Sequence, residues 1–349
     1  MAKAPLSPKL FENFHYRGLE LNNRIVMAPM SRSQAAMTVP TSEMAEYYGR
    51  RATAGLIITE ATTPSLNGLT DSYMPGLFLQ EHIEGWAQVT KRVHSEGGKI
   101  FVQLMHCGRM ALPDLQPEDA RLMGPSAVAA NSQIWIDEEA FPAVVPNAMT
   151  SDDIQQAIGE FELAAKMALE AGFDGVEIHA ANGYLLDQFL NPISNLRADE
   201  WGGSIENLCR FPLAVIEKVA SAISEAKVGV RISPFGRYNG MTPNTQYKNL
   251  YDYFIQKLNR IDCQYLHIAD HPSHRSTPYN LEFLRQLKHD FKNRVIRCGG
   301  YRLDSAESEI EIGNADLIAF GRPFISNENL VKKLQNKQDL EPEDFDQYP

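Results

Sequence analysis

Within the segment IHAANGYLLDQFL, His179 closes an apolar run, Asn182 follows three residues later and Tyr184 two after that. A ring nitrogen, an amide and a phenol thus sit together at the end of a strand-length stretch. With a helical turn after Ile178, His179 and Asn182 at i and i+3 face the same way, and two hydrogen-bond donors can converge on one carbonyl or nitro oxygen. Donors fixed in advance stabilise negative charge as it develops on such an oxygen. Tyr184, a phenol with an unperturbed pKa of about 10, stays protonated at neutral pH yet is acidic enough to quench a carbanion or enolate. Taken alone, the segment reads better as a satisfied strand-end histidine, an Asn-Gly turn and a core tyrosine. The rest of the chain has to decide.

Eight short apolar runs recur: IVMAP from Ile25, GLIITEA from Gly55, IFVQLM from Ile100, GVEIHA from Gly175, VGVRIS from Val228, YLHIAD from Tyr265, VIRCGG from Val295 and LIAFGR from Leu317. Stretches with helical spacing separate most of them, including SDDIQQAIGEFELAAKMALEAGF, for which Ser151 is the expected N-cap, and SIENLCRFPLAVIEKVASAISEA. Strands alternating with helices imply a parallel sheet, and eight of them fit a (β/α)8 TIM barrel better than an open doubly wound sheet. The open sheet would also carry a nucleotide fingerprint, and neither G-x-G-x-x-G nor G-x-x-x-x-G-K-[ST] occurs. We expect one α/β domain over residues 1–349, opened by an N-terminal hairpin around Arg17-Gly18 that plugs the barrel floor.

Function in such a barrel collects at the C-terminal strand ends. There stand Ser31, Ala61, Gln103, His179, Arg231, Asp270, Gly299, Gly300, Gly321 and Arg322. The connection from about 106 to 150 after the third strand is unusually long and carries Trp135 and Phe141, so it is expected to be a lid or substrate wall. His271, His274 and Tyr279 lie in another loop that can line the same mouth. CGGY and FGRP place glycines at the last two strand ends, where backbone can approach a phosphate closely, with Arg322 beside them. Gln103 and Arg231 project from the third and fifth strands and need a planar polar partner; a flavin's pyrimidine edge qualifies. The alternative is an ion pair between Arg231 and Glu177.

A chain of 349 residues with 44% hydrophobic content can bury a sizeable core. Its net charge of −11 without a basic block argues against nucleic acid or an anionic membrane as partner. Cys107, Cys209, Cys263 and Cys298 show no C-x-x-C spacing, which points to reduced thiols in a cytoplasmic protein. A zinc site from His106, His179 and His267 ranks low, because no H-x-H or H-x-x-x-H spacing joins any two of them.

The motifs NRIVMAPMSR, EYYGRRATAGLIITEAT, FVQLMHCGR, GFDGVEIHAANGYLLDQFLNPISNLRADEWGGSIEN, VRISP and DLIAFGRPFI follow one another between Leu10 and Leu334. In that order they resemble the old yellow enzyme family of flavin mononucleotide (FMN)-dependent ene-reductases. The resemblance implies that Pro29, Met30, Ser31, Ala61, Gln103 and Arg231 surround the isoalloxazine, while Gly299, Gly300, Gly321 and Arg322 hold the phosphate. It implies that His179 and Asn182 bind the substrate oxygen and that Tyr184 donates the proton. NADPH or NADH would reduce FMN and leave; hydride from flavin N5 would then reach the β-carbon of an activated alkene such as an enone, enal, nitroalkene or maleimide. With no Rossmann motif, the nicotinamide is expected over the flavin in the substrate's own pocket.

The chain departs from the family pattern at Ser31, usually threonine or cysteine, at Met105, usually aromatic, and at Leu208 and Asn147, where arginine is common. Tyr348, in the acidic tail, resembles a terminal pocket tyrosine. A metal-dependent barrel hydrolase and a flavin-binding protein without turnover are the competing readings.

Overall fold

The computed structural model describes residues 8–136, 139–243, 246–270 and 278–342. His271, His274 and Tyr348 lie outside them, as does the side chain of Tyr279. An antiparallel hairpin, β1 (Phe14–Tyr16) and β2 (Leu19–Leu21), precedes three barrel strands, β3 (Ile25–Met27), β4 (Leu56–Thr62) and β5 (Ile100–Leu104). The connection after β5 carries short strands β6 (Met123–Gly124), β7 (Gln133–Ile136), β8 (Glu139–Pro142) and β9 (Asn147–Ala148). Five further strands, β10 (Gly175–Ala180), β11 (Val228–Ile232), β12 (Tyr265–Ala269), β13 (Arg294–Cys298) and β14 (Leu317–Phe320), complete a closed parallel barrel of eight. Helices α1 (Ser42–Gly49), α2 (Gln80–Ser95) and α3 (Ser151–Glu170) follow β3, β4 and β9. Then come α4 (Leu185–Leu190), α5 (Ile205–Ile223), α6 (Tyr247–Ile261), α7 (Pro278–Asp290), α8 (Leu303–Glu311), α9 (Arg322–Ser326) and α10 (Leu330–Gln335).

The eight apolar runs are the eight barrel strands because both of their faces are covered. Residues of one face fill the barrel and those of the other meet the helices, so no alternation with polar residues is needed. Val26, Ile58, Phe101, Tyr265, Ile296 and Ala319 pack together with Phe14, Leu19 and Leu21 of the hairpin. Tyr16 is bonded to Asn293 and Gln264, and Arg17 to Asp262, all just before β12 or β13, so the hairpin is seated at the N-terminal end of the barrel.

Helix α3 begins one residue earlier than Ser151 suggests. Thr150 is the cap: its hydroxyl accepts from Asp153 N–H at 3.1 Å while Asp153 accepts from Thr150 N–H at 2.8 Å. Such a reciprocal box outcompetes a lone serine and is worth about 1 kcal/mol. Ile154, Ala157, Ile158, Phe161, Ala164, Ala165 and Ala168 then form one buried stripe.

Gly229 shows how the barrel interior fixes a residue type. A methyl group there would lie 2.1 Å from the Tyr265 ring, so only glycine leaves room for that ring to cross β11 and reach Glu177 on β10. The pairing of β4 with β5 shifts register between Ile58 and Ala61, a bulge that displaces the end of β4 beside the mouth.

Candidate active site

At the C-terminal mouth two cavities adjoin. The larger, about 1140 Å³, is lined by Pro29, Met30, Asn182, Arg231, Cys298, Gly299, Gly300, Gly321 and Arg322 among others. The smaller, about 280 Å³, is lined by Ser31, Glu60, Ala61, Met105, Trp135, Tyr184 and Asn239 among others. Consecutive residues Met30 and Ser31 thus divide between the two chambers, as do the near neighbours Asn182 and Tyr184. Gln133, Ile134 and Trp135 of β7 line the smaller chamber. Gln103 and His179 line neither chamber and are buried beneath them.

His179 sits on β10 directly opposite Arg231 on β11. Burial, reinforced by the charges of Arg231 and His267, holds its imidazole well below the usual histidine range. It is therefore neutral at pH 7, with one N–H donor and one acceptor. Its Nδ1 is buried without a hydrogen-bond partner, and so is Nε of Arg231. Buried polar atoms are nearly always satisfied, so orphans beside an open cavity mark places for ligand atoms.

The expected helical turn after Ile178 does not form. His179 and Ala180 remain in the strand, and Asn182 and Gly183 follow with φ of +56° and +77°. A left-handed Asn-Gly turn, rather than i, i+3 spacing, brings Asn182 to the larger chamber and Tyr184 to the smaller, while His179 stays in the strand below them. His179 and Tyr184 rings lie 5.5 Å apart. Gly183 is needed at its position, since a side chain would come within 2.8 Å of Asn239 Cβ and of the Tyr238 carbonyl. Asp187 accepts Gly183 N–H at 2.8 Å, Gln188 donates to the Gly183 carbonyl at 2.8 Å, and Ser233 accepts Asn182 N–H at 2.7 Å. The turn is held from three sides.

Arg231 and Glu177 do not share a hydrogen bond or ion pair. Glu177 spends its oxygens on Gln103 Nε2 (2.8 Å), Tyr265 OH (3.1 Å) and His267 Nδ1 (2.8 Å). Register explains this: Glu177 faces Gln103 on one side and Gly229 on the other, and the missing side chain at 229 admits Tyr265. Burial opposes charge on both partners, yet their mutual attraction leaves Glu177 below the usual carboxylate range and His267 above its own. The Arg231 guanidinium is left to face the larger cavity.

Asn239 escaped the sequence reading. It occupies a short turn, Tyr238–Gly240, after β11, at φ +57°. Its amide donates to the Asn182 carbonyl at 2.8 Å and hydrogen-bonds the Tyr184 hydroxyl, offsetting part of the upward push that burial gives the phenol's pKa. A further Asn-Gly pair, at 239–240, was the available signal. Of the departures from the family pattern, Met105 packs with Ala61, Leu69 and Met74, and Leu208 is buried on α5. Asn147 donates to the Leu122 carbonyl at 3.2 Å.

A closed parallel barrel, glycines and an arginine at the last two strand ends, and a guanidinium with an unpartnered Nε beside the same cavity define an FMN-dependent barrel oxidoreductase. A family model for the NADH:flavin oxidoreductase / NADH oxidase family matches residues 9–341. The chain is 38% identical over 323 residues to a putative 12-oxophytodienoate reductase-like protein of Arabidopsis thaliana, covering 91% of this chain and 98% of that one. It is 36% identical to a probable flavin mononucleotide-dependent alkene reductase of Leishmania infantum, covering 90% and 87%. Morphinone reductase in complex with tetrahydroNAD superposes with a TM-score of 0.91 at 36% identity, covering 98% of this chain and 94% of that one. The old yellow enzyme homologue of Zymomonas mobilis gives 0.92 at 35%, covering 98% and 96%. The chain belongs to the NADH:flavin oxidoreductase family that includes old yellow enzyme. Among the described residues no helix is long and apolar enough to cross a membrane.

Proposed function

We propose that the protein is an ene-reductase that saturates activated alkenes, with His179 and Asn182 gripping the activating oxygen and Tyr184 protonating the α-carbon. Pro29, Met30, Ser31, Ala61, Gln103 and Arg231 hold the isoalloxazine, and Gly299, Gly300, Gly321 and Arg322 the phosphate. FMN held there would supply the two-electron chemistry that links NADPH or NADH to the β-carbon of the alkene. Arg231 contributes a fixed positive charge beside the ring that carries those electrons. Neutral His179 donates one N–H to the oxygen, Asn182 donates a second, and both are already in place when charge arrives there. Tyr184 is protonated at pH 7, and its proton goes to the α-carbon.

The observation that carries this reading is the pair of adjoining chambers, with the orphaned polar atoms below one and the Tyr184 hydroxyl at the other. Nicotinamide and alkene use the same space in turn, which makes the two half-reactions separable. Anaerobic NADPH or NADH is expected to bleach the yellow protein, and an enone added afterwards to restore the colour. Bleaching without recovery would reduce the protein to a flavin carrier, and a colourless protein that takes up no FMN would return the barrel to hydrolase chemistry.

Asn239→Gly keeps the left-handed backbone and removes the amide. It is expected to slow reoxidation by the alkene by about tenfold, the value of one hydrogen bond of roughly 1.4 kcal/mol, without slowing flavin reduction. Single-turnover rates of the two halves measure this; an equal loss in both would assign Asn239 a purely structural part.

A further inference from the structure

Cys298 is the last residue of β13, immediately before Gly299, and it faces the larger cavity. It is the one cysteine of four that is not fully buried. Arg231 Nη2 lies 3.9 Å from its sulfur. His267, from β12, has its Nδ1 on Glu177, and its buried Nε2 has no oxygen or nitrogen partner. Glu177, His267 and Cys298 therefore form a carboxylate, imidazole and thiol series of the kind that activates a nucleophile, with a guanidinium alongside. The reaction assigned to the family makes no use of it.

We propose that Cys298 is a modification site: in the flavin-free chain its sulfur is alkylated by soft electrophiles, activated alkenes among them, and the adduct excludes FMN. The inference rests on the proposed placement of FMN over Arg231, Gly299 and Gly300. In the step with an alkene, the thiolate sulfur bonds to the β-carbon as the carbon–carbon π bond breaks. The electron pair moves onto the activating oxygen, and a proton from solvent ends on the α-carbon. With a haloacetamide, a sulfur–carbon bond replaces the carbon–iodine bond and iodide leaves.

The surroundings favour the thiolate. Burial opposes charge on the sulfur, but the neighbouring His267 imidazole and the Arg231 guanidinium outweigh it, so the thiol sits below its ordinary value. For the other three thiols burial is the largest influence; it drives Cys263 to about 12, and Cys107 and Cys209 higher still. Other charged or titratable groups near Cys298 do not reverse this. Asp270 donates its backbone N–H to the Cys298 carbonyl but points its carboxylate at Arg297, 3.2 Å away, and Tyr238 carries no charge at neutral pH. Selectivity follows from geometry as well, since only this sulfur borders open space. Bound FMN would cover it, so the cofactor would protect the enzyme from its own substrate class and the unloaded chain would be the vulnerable form.

The test uses the full chain stripped of flavin, its competence checked by rebinding FMN. Iodoacetamide and a maleimide are added across pH 5 to 9, and the alkylated residues are identified by peptide mass spectrometry. Cys298 is expected to react at pH 7 about tenfold or more faster than the other three cysteines, with a midpoint below the ordinary thiol value of about 8.5. Saturating FMN should abolish the labelling, and the alkylated chain should no longer take up FMN. Cys298→Ser should retain after treatment whatever FMN binding it had before. Labelling elsewhere, or a midpoint at or above the ordinary value, overturns the proposal and leaves the FMN placement standing. Labelling of Cys298 that FMN does not block overturns both.

Discussion

Tyr184→Phe is expected to slow alkene reduction by on the order of 10²- to 10⁴-fold while leaving flavin reduction by NADPH nearly unchanged, the range set by losing a positioned general acid. The substitution removes one hydroxyl from the wall of the 280 Å³ chamber. It keeps the ring that packs against His179 and against Cys107, Ala111 and Leu122. The turn itself should survive, because Asp187, Gln188 and Ser233 hold it through backbone groups of Asn182 and Gly183. Burial raises the Tyr184 pKa above its ordinary value, so the wild-type rate of alkene reduction should show no loss from phenol ionisation up to pH 9. Rapid-mixing measurements of each half-reaction decide it. Equal slowing of both halves would remove Tyr184 from proton transfer.

Two kinds of information about this protein differ in how they are stored in the sequence. The barrel is local: each strand is an apolar run bounded by glycine or polar residues, and each run can be found without knowing its neighbours. Phosphate-type glycines are also local, since they must stand at strand ends. Partnerships across the barrel are not. Whether Glu177 meets Arg231 or instead Tyr265 and His267 depends on the register of three strands, and the space at Gly229 that admits Tyr265 shows only once that register is known. A helical turn was expected to set His179 and Asn182 side by side, but the backbone after Ala180 could not be read from spacing alone. Asn182-Gly183 is compatible with a helical turn until Ser233, 51 residues away, claims the Asn182 N–H. Asn239 was invisible for the same reason: its value lies in touching Asn182 and Tyr184 across a different strand's loop.

The second large effect concerns stability rather than rate, and it comes from Glu60, which lines the chamber holding Tyr184. Its carboxyl accepts from Arg32 N–H at 3.0 Å and from Tyr48 OH at 3.1 Å, and it is 1% exposed. Burial raises its pKa from 4.5 to about 7, against the pull of those donors. Between these values the folded chain binds more protons than the unfolded chain, so stability contributed by this site is fully present below 4.5 and declines as pH rises toward 7. At 1.36 kcal/mol per pKa unit, the loss above pH 7 is about 3 kcal/mol. Asp187 behaves alike, its carboxyl pushed to about 7 by burial, so one substitution should remove only part of the slope. Glu60→Gln imitates the protonated carboxyl at every pH. Relative to the parent, with FMN saturating both, it should gain roughly 2 to 3 kcal/mol at pH 8 and little at pH 4 in denaturant titrations. A stability difference that does not change between those pH values would mean that the Glu60 carboxyl titrates alike in the folded and the unfolded chain. In that case Glu60 would carry a negative charge beside the smaller chamber at neutral pH.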